Sequence, residues 1–422
     1  MPVGLSPTPT DAPVGQQKKG SASSVAVIPF ARASKWHIEQ SNTATVALTT
    51  GNAQQVLNFP IASYGYLSAI LVTIQGSAIT ANTAITPFED APWSYLAQVQ
   101  LTDVNGVPIF QLSGFHAYLA AKYGGYRLFA NDNIINGASS DGNAAKALIG
   151  NGGPPGAVLT GPNGGYYSPP TTASVGAFKF ILPIYLEFGL DGMGCLPNMD
   201  ASARYNLQLT FPASALLGAA GGPIYATQTL GTAQTVTVTV EALCRSQPPA
   251  QDMFGNQNST SPPAVGTVQY WTAQTLTGLG SGAQTIQLTR VGNLIRNHIL
   301  VFRDSGNTPR ATAESTDMPN LFEFDWDVGQ RYVCNLGSLR FFNGYSVYGI
   351  DTANGVLLLP NTLDPDKLPV AEYGDEWMAT VGATKLTLRY SQLAGTTSLA
   401  ILTNDIVPAS SQVYQAPALM QS

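Results

Sequence analysis

The chain has 422 residues, only 10% of them charged, with 42 glycines, 29 prolines and a formal net charge of −6. Its length exceeds the ~100–200 residues of an ordinary domain, which predicts two structural units or one large β unit. A monomeric enzyme usually carries about 25% charged residues, so much of this surface is expected to meet protein, and the acidic balance excludes the basic stripe that a nucleic-acid binder needs.

Residues 1–35 are rich in Pro, Ser and Gly, with Lys18 and Lys19 as a basic pair, and read as an extended arm. The first twenty, "MPVGLSPTPTDAPVGQQKKG", hold no apolar h-region, so no secretory signal is expected. No apolar run approaches the ~20 residues of a membrane span. Cys195, Cys244 and Cys334 lie far apart without a CxxC pair, which predicts isolated buried thiols made in a reducing cytoplasm rather than a disulfide framework or zinc site.

Residues 36–248 alternate apolar and polar side chains in "TATVALTT", "AILVTIQ", "LAQVQLTD", "KFILPIYLEF", "RYNLQLTF" and "QTVTVTVEAL". Such runs between Gly, Pro and Asn predict strands. One helix is predicted over 114–126, "GFHAYLAAKYGGY". Residues 128–173 contain "GNGGPPGAVLTGPNGGYYSPP", a composition that cannot sustain a sheet ladder and predicts a long projecting loop. A Pro-rich linker follows at 249–265. Residues 266–408 return to alternation in "QTIQLT", "ILVFRD", "LFEFDWDV", "TKLTLRYS" and "LAILTND", with a weaker helix signal over 337–349. Residues 409–422 form a tail like the arm.

The two β-rich stretches share a plan. "YGYLSAILVTIQG" and "VGNLIRNHILVFRD" place Gly65 and Gly292 227 positions apart, and Pro92 and Pro319 keep that offset. Upstream of each glycine lies a strand, a Gly-containing turn and a Gln-rich strand, and a helix signal follows downstream. Tandem duplication accounts for that order.

No motif supplies chemistry. "GLGSGA" at 278–283 fits a dinucleotide fingerprint in letters, but a strand pattern follows where a helix is needed, so it predicts a hairpin. Glu323, Asp325 and Asp327 alternate with Phe322, Phe324 and Trp326, which puts three carboxylates on one strand face. That face reads as solvated or interface-facing, with a calcium site or a glycosidase-like acid/base pair as alternatives. "LDPDKL" at 363–368 reads as a Pro-bounded turn, with metal binding as the alternative. His37, His116 and His298 lack metal or triad spacing, and Asn258-Ser259-Thr260 is a glycosylation acceptor without a signal peptide to use it. Arg296, Arg303 and Arg310 read as edge or inter-subunit ion-pair partners rather than a nucleic-acid patch. The sequence thus predicts no enzyme and no catalytic, cofactor-binding or metal site.

The tandem units, the shared "GYLSAILVTIQG" and "GNLIRNHILVFRDSG" phrases, the helix in each half, the long insertion and the arm together resemble the double jelly-roll major capsid proteins of tailless icosahedral, tectivirus-like bacteriophages. The resemblance implies an all-β fold of two tandem eight-stranded jelly rolls. It further implies homotrimeric, pseudo-hexagonal capsomers in a virion capsid, in contact with neighbouring trimers, penton and minor capsid proteins, and, through the arm, with an inner viral membrane. The alternative is a carbohydrate-binding or carbohydrate-active extracellular β-sandwich, with Tyr166 and Tyr167 as an aromatic platform or Glu323 with Asp325 or Asp327 as acid and base.

Overall fold

A computed structural model describes residues 27–48, 54–79, 93–124, 159–160, 166–168, 176–188, 192–213, 234–304, 319, 321–326, 330–338, 355–360, 377–392 and 397–407. The arm before Val27, the tail from 409, "LDPDKL", Arg310, Asp327, Pro92 and most of the 337–349 helix signal lie outside them.

The strands are β1 (Trp36–Leu48), β2 (Gln55–Pro60), β3 (Tyr66–Ile79), β4 (Gln98–Thr102), β5 (Pro108–Leu112), β6 (Leu159–Thr160), β7 (Tyr166–Ser168), β8 (Gly176–Tyr185), β9 (Leu196–Pro197), β10 (Asn206–Phe211) and β11 (Gln234–Arg245). After the linker come β12 (Val268–Leu279), β13 (Gly282–Gln287), β14 (Leu294–Asp304), β15 (Leu321–Trp326), β16 (Gln330–Asn335), β17 (Val356–Pro360), β18 (Met378–Ala379), β19 (Leu386–Gln392) and β20 (Thr397–Val407). The helices are α1 (Phe30–Ala33), α2 (Gly114–Tyr123) and a single turn at Leu336–Ser338.

Both halves follow one wiring diagram. In the first, β1-β11-β3-β8 form one sheet and β2-β10-β4-β5 the other; in the second, β12-β20-β14-β17 face β13-β19-β15-β16. Ranking the eight long strands of each half by chain order gives 1-8-3-6 over 2-7-4-5 both times. Neighbouring strands within every one of these sheets run antiparallel. Gly65 and Gly292 occupy the same place in the two diagrams, just before the third strand, and both have positive φ, +49° and +99°. The "GLGSGA" stretch is the hairpin from β12 into β13, with Gly278 and Gly282 at positive φ.

The halves are not separate bodies. β5 pairs in parallel with β12, Trp271 opposite Phe110 and Thr272 opposite Gln111, which fuses a sheet of each half into one. Residues from both halves share one core: Ile70 and Val72 of the first sandwich pack in the same cluster as Ile299, Val301, Leu358 and Leu402 of the second. The second sandwich keeps its own interior of Leu300, Phe302, Phe322, Phe324, Leu388 and Ile401. β14 and β20 are therefore buried on both faces, which is why "ILVF" and "LAIL" are unbroken apolar runs, whereas "TVTVTV" in β11 alternates buried Val with exposed or half-exposed Thr.

Two expectations need correction. The 128–173 insertion does add to a sheet: β7 pairs with β8 and β6 with β7, carrying Tyr166 and Tyr167 into the ladder opposite Lys179 and Phe178. Gly and Pro dominate that stretch as a whole, but "VLT" and "YYS" are local β formers. The arm also ends before residue 35. The Ile28 amide donates to the Gln257 carbonyl of the linker and the Ile28 carbonyl accepts from Ser259, while Phe30 is buried edge-on against Tyr66 at 5.3 Å.

Candidate functional site

Of the carboxylates singled out from the sequence, Glu323 and Asp325 lie among the described residues, on β15. Asp325 on β15 is paired with Arg389 on the adjacent β19 at 3.1 Å, and backbone register puts Glu323 opposite the same arginine. Among the described residues, no group of three or more His, Cys, Asp or Glu could hold a metal ion. Cys195 and Cys244 are buried free thiols. Burial pushes Cys195 well above the ordinary thiol range and Cys244 up to about 11, so neither supplies a thiolate near neutral pH.

What the structure does assemble is a joint between the halves. α2 sits in it, capped by Ser113, whose Oγ accepts from the His116 amide at 3.2 Å, and locked by Trp93 stacked on Tyr118 at 4.4 Å. Nearly every residue from Ala117 to Tyr123 is buried, as expected of a helix apolar on all sides. Its C-terminal carbonyl, Gly124 O, accepts from the guanidinium of Arg296 and from Asn297 Nδ2 at 3.1 Å. A cation there also meets the negative end of the helix dipole.

From Arg296 a polar relay crosses the joint. Arg296 donates to Asn404 Oδ1 (3.4 Å), Asn404 Nδ2 donates to Gln269 Oε1 (3.1 Å), and Gln269 Nε2 donates to the Tyr185 and Leu186 carbonyls at the end of β8, each at 2.8 Å. β12, β20 and β14 of the second half thus reach both β8 and α2 of the first. Arg296 and Arg303 are therefore interior residues of a central strand, not edge partners. Arg303 lies over the Phe115 ring at 4.9 Å. Beside it, an open pocket of about 240 Å³ is lined by Leu96, Phe115, His116, Thr275, Val301 and Arg303. Burial and then the Arg303 charge hold His116 down to about 4, so it is neutral there.

Each half also carries a bidentate arginine–carboxylate pair at the end where its eighth strand passes the positive-φ glycine. Arg245 grips Glu187 through Nε (3.0 Å) and Nη2 (2.6 Å), with both side chains about nine-tenths buried. Arg290 grips Asp405 at 2.9 and 2.6 Å, and Asn293 adds a bond of 2.5 Å to the same carboxylate. Spacing along the chain could not reveal these pairs, because the partners are 58 and 115 positions apart.

Same-order eight-stranded sandwiches joined side by side define the architecture. The fold is the double jelly roll. Solved double jelly rolls overlay nearly the whole chain. The crystal structure of the STIV MCP matches at 11% identity over 90% of this chain and 98% of that one, with a TM-score of 0.55. The chain in the atomic structure of Sulfolobus Turreted Icosahedral Virus matches at 10% identity, 90% and 95% coverage and 0.56. PBCV-1 VP54, as fitted into a reconstruction of the virophage Sputnik, matches at 12%, 88% and 94% coverage and 0.51. No protein-family model and no curated protein sequence matches. The likeness to these structures is one of fold, at 10–12% identity.

Proposed function

We propose that this chain is a major capsid protein, a non-enzymatic building block whose three copies form a pseudo-hexagonal capsomer that tiles an icosahedral shell. The observation that carries this reading is the joint: two jelly rolls share a sheet and a core and so stand as one rigid double unit. A charge content of 10% suits flanks that are covered by copies of the same chain, where buried charges would cost desolvation. The domain plan of arm, first jelly roll over 36–248, linker over 249–265 and second jelly roll over 266–408 belongs to this proposal.

Its partners in the shell are neighbouring trimers and the penton and minor capsid proteins, with no sequence-specific contact to nucleic acid. Ile28, near the start of the described chain, bonds to the linker, whose Met253 and Phe254 are 89% and 82% exposed, an end suited to an inner viral membrane. The purified chain should elute as a species three times 44.3 kDa by light scattering and assemble into shells seen by electron microscopy. A chain that stays monomeric at every concentration and forms no particles would overturn the proposal.

A further inference from the structure

The parallel pairing of β5 with β12 joins the fifth strand of one jelly roll to the first strand of the next. Because both halves have the same wiring, the chain holds a second copy of each partner. Among the described residues, β1 is the first strand of the first half and terminal in its sheet, and β16 is the fifth strand of the second half and terminal in its sheet. We infer that β16 of one copy pairs in parallel with β1 of the next, repeating between chains the joint that the chain already makes within itself.

The register follows from equivalent neighbours. Phe59 and Ile286 hold matching places in β2 and β13, 227 positions apart, and lie opposite Leu207 and Leu388. These face Leu101 and Phe324, which in turn face Phe110 and Tyr332. On the other side, the third strands each skip one residue in their ladder, Ser68 in β3 and Arg296 in β14, so Leu67 and Ile295 are equivalent; they lie opposite Cys244 and Asp405, which lie opposite His37 and Tyr270. Trp271 opposite Phe110 therefore maps to Ile38 opposite Tyr332, and Thr272 opposite Gln111 maps to Glu39 opposite Val333.

The surfaces agree with that placement. Ile38 on β1 and Val333 on β16 are 56% and 48% exposed, an unusual state for apolar residues mid-strand on a sheet edge, which invites pairing. The face of the second half's β12-β20-β14-β17 sheet is covered by the first half through Ile299, Val301 and Leu402. The corresponding face of the first half carries Thr73, Thr237, Thr239, Glu241 and Leu243, half-exposed in this chain. Nearly uncharged, it can be covered by a second copy at little desolvation cost. A contact of one surface with a different one is heterologous, and closes into a ring or runs on as a filament. The closed ring of three rests on the capsomer reading above.

Cysteine pairing tests the register. In purified full-length protein carrying Glu39→Cys and Val333→Cys, mild oxidation should give reducible bands of two and three chains, at least tenfold stronger than in either single variant. An oligomer of wild-type size without interchain bonds would overturn this edge pairing while leaving the capsomer proposal standing, and a ladder beyond three chains would overturn the closed ring. A monomeric wild type would remove both. Hydrogen exchange on wild-type protein covers a variant that fails to fold: amides of 38–40 and 331–333 should exchange at least tenfold more slowly in the oligomer than in the dilute monomer. Equal exchange at those amides would overturn the inference.

Discussion

Gly65 and Gly292 show how one residue type can be required twice for different reasons. Both need positive φ, which costs a side-chain-bearing residue roughly 1–2 kcal/mol. A Cβ on Gly65 would also stand 2.2 Å from the Arg245 carbonyl oxygen, whereas one on Gly292 meets nothing within 4 Å. Gly292→Ala is therefore expected to cost about 1–2 kcal/mol in urea unfolding and Gly65→Ala clearly more. His298 is the other weak point at this scale: it is buried, neither ring nitrogen has a hydrogen-bond partner, and Phe324 lies 5.6 Å away. Burial lowers its pKa from 6.5 to about 4, so the folded state holds it neutral. That contribution is complete above pH 6.5 and is lost as pH falls toward 4, by about 3 kcal/mol for a shift of this size. His298→Leu should lose correspondingly less stability than wild type between pH 7 and 4, measured by denaturant midpoints; equal losses would show that His298 does not titrate in the fold.

Among the elements, β14 carries the most. Its apolar run buries one face in each core, and its polar residues cap α2 and start the relay through Asn404 and Gln269. Removing one member leaves buried partners unsatisfied, at ~1–3 kcal/mol each. Gln269→Leu and Asn404→Leu should each destabilise by that amount, and the double variant by less than their sum, because they share a bond. Additive losses in a double-mutant cycle would mean that the relay is not one network. The unbroken run in "ILVF" could have announced burial on both faces, and a reader attentive only to alternation places its arginines on an edge.

At the scale of the whole molecule, a core that spans both halves predicts a single unfolding transition rather than two. Fluorescence and circular dichroism should report the same urea midpoint. Residues 266–408 produced alone would bare Ile299, Val301, Leu358 and Leu402 and are expected to aggregate or remain unfolded. A soluble, cooperatively folded fragment would show that the joint contributes little. For the arm, deleting residues 1–26 should leave trimers intact and impair shells, whereas a deletion through Phe30 should also reduce stability, since that ring is buried against Tyr66.

Period-two alternation, the glycine landmarks and the repeated order were legible along the chain, because strand formation and turn geometry are local demands that particular residues must meet. The Arg245–Glu187 and Arg290–Asp405 pairs, the relay through Asn404 and the β5–β12 joint were not legible. Each depends on which strands a jelly roll brings side by side, and only the closed topology decides that, by carrying residues far apart in sequence to within hydrogen-bonding distance.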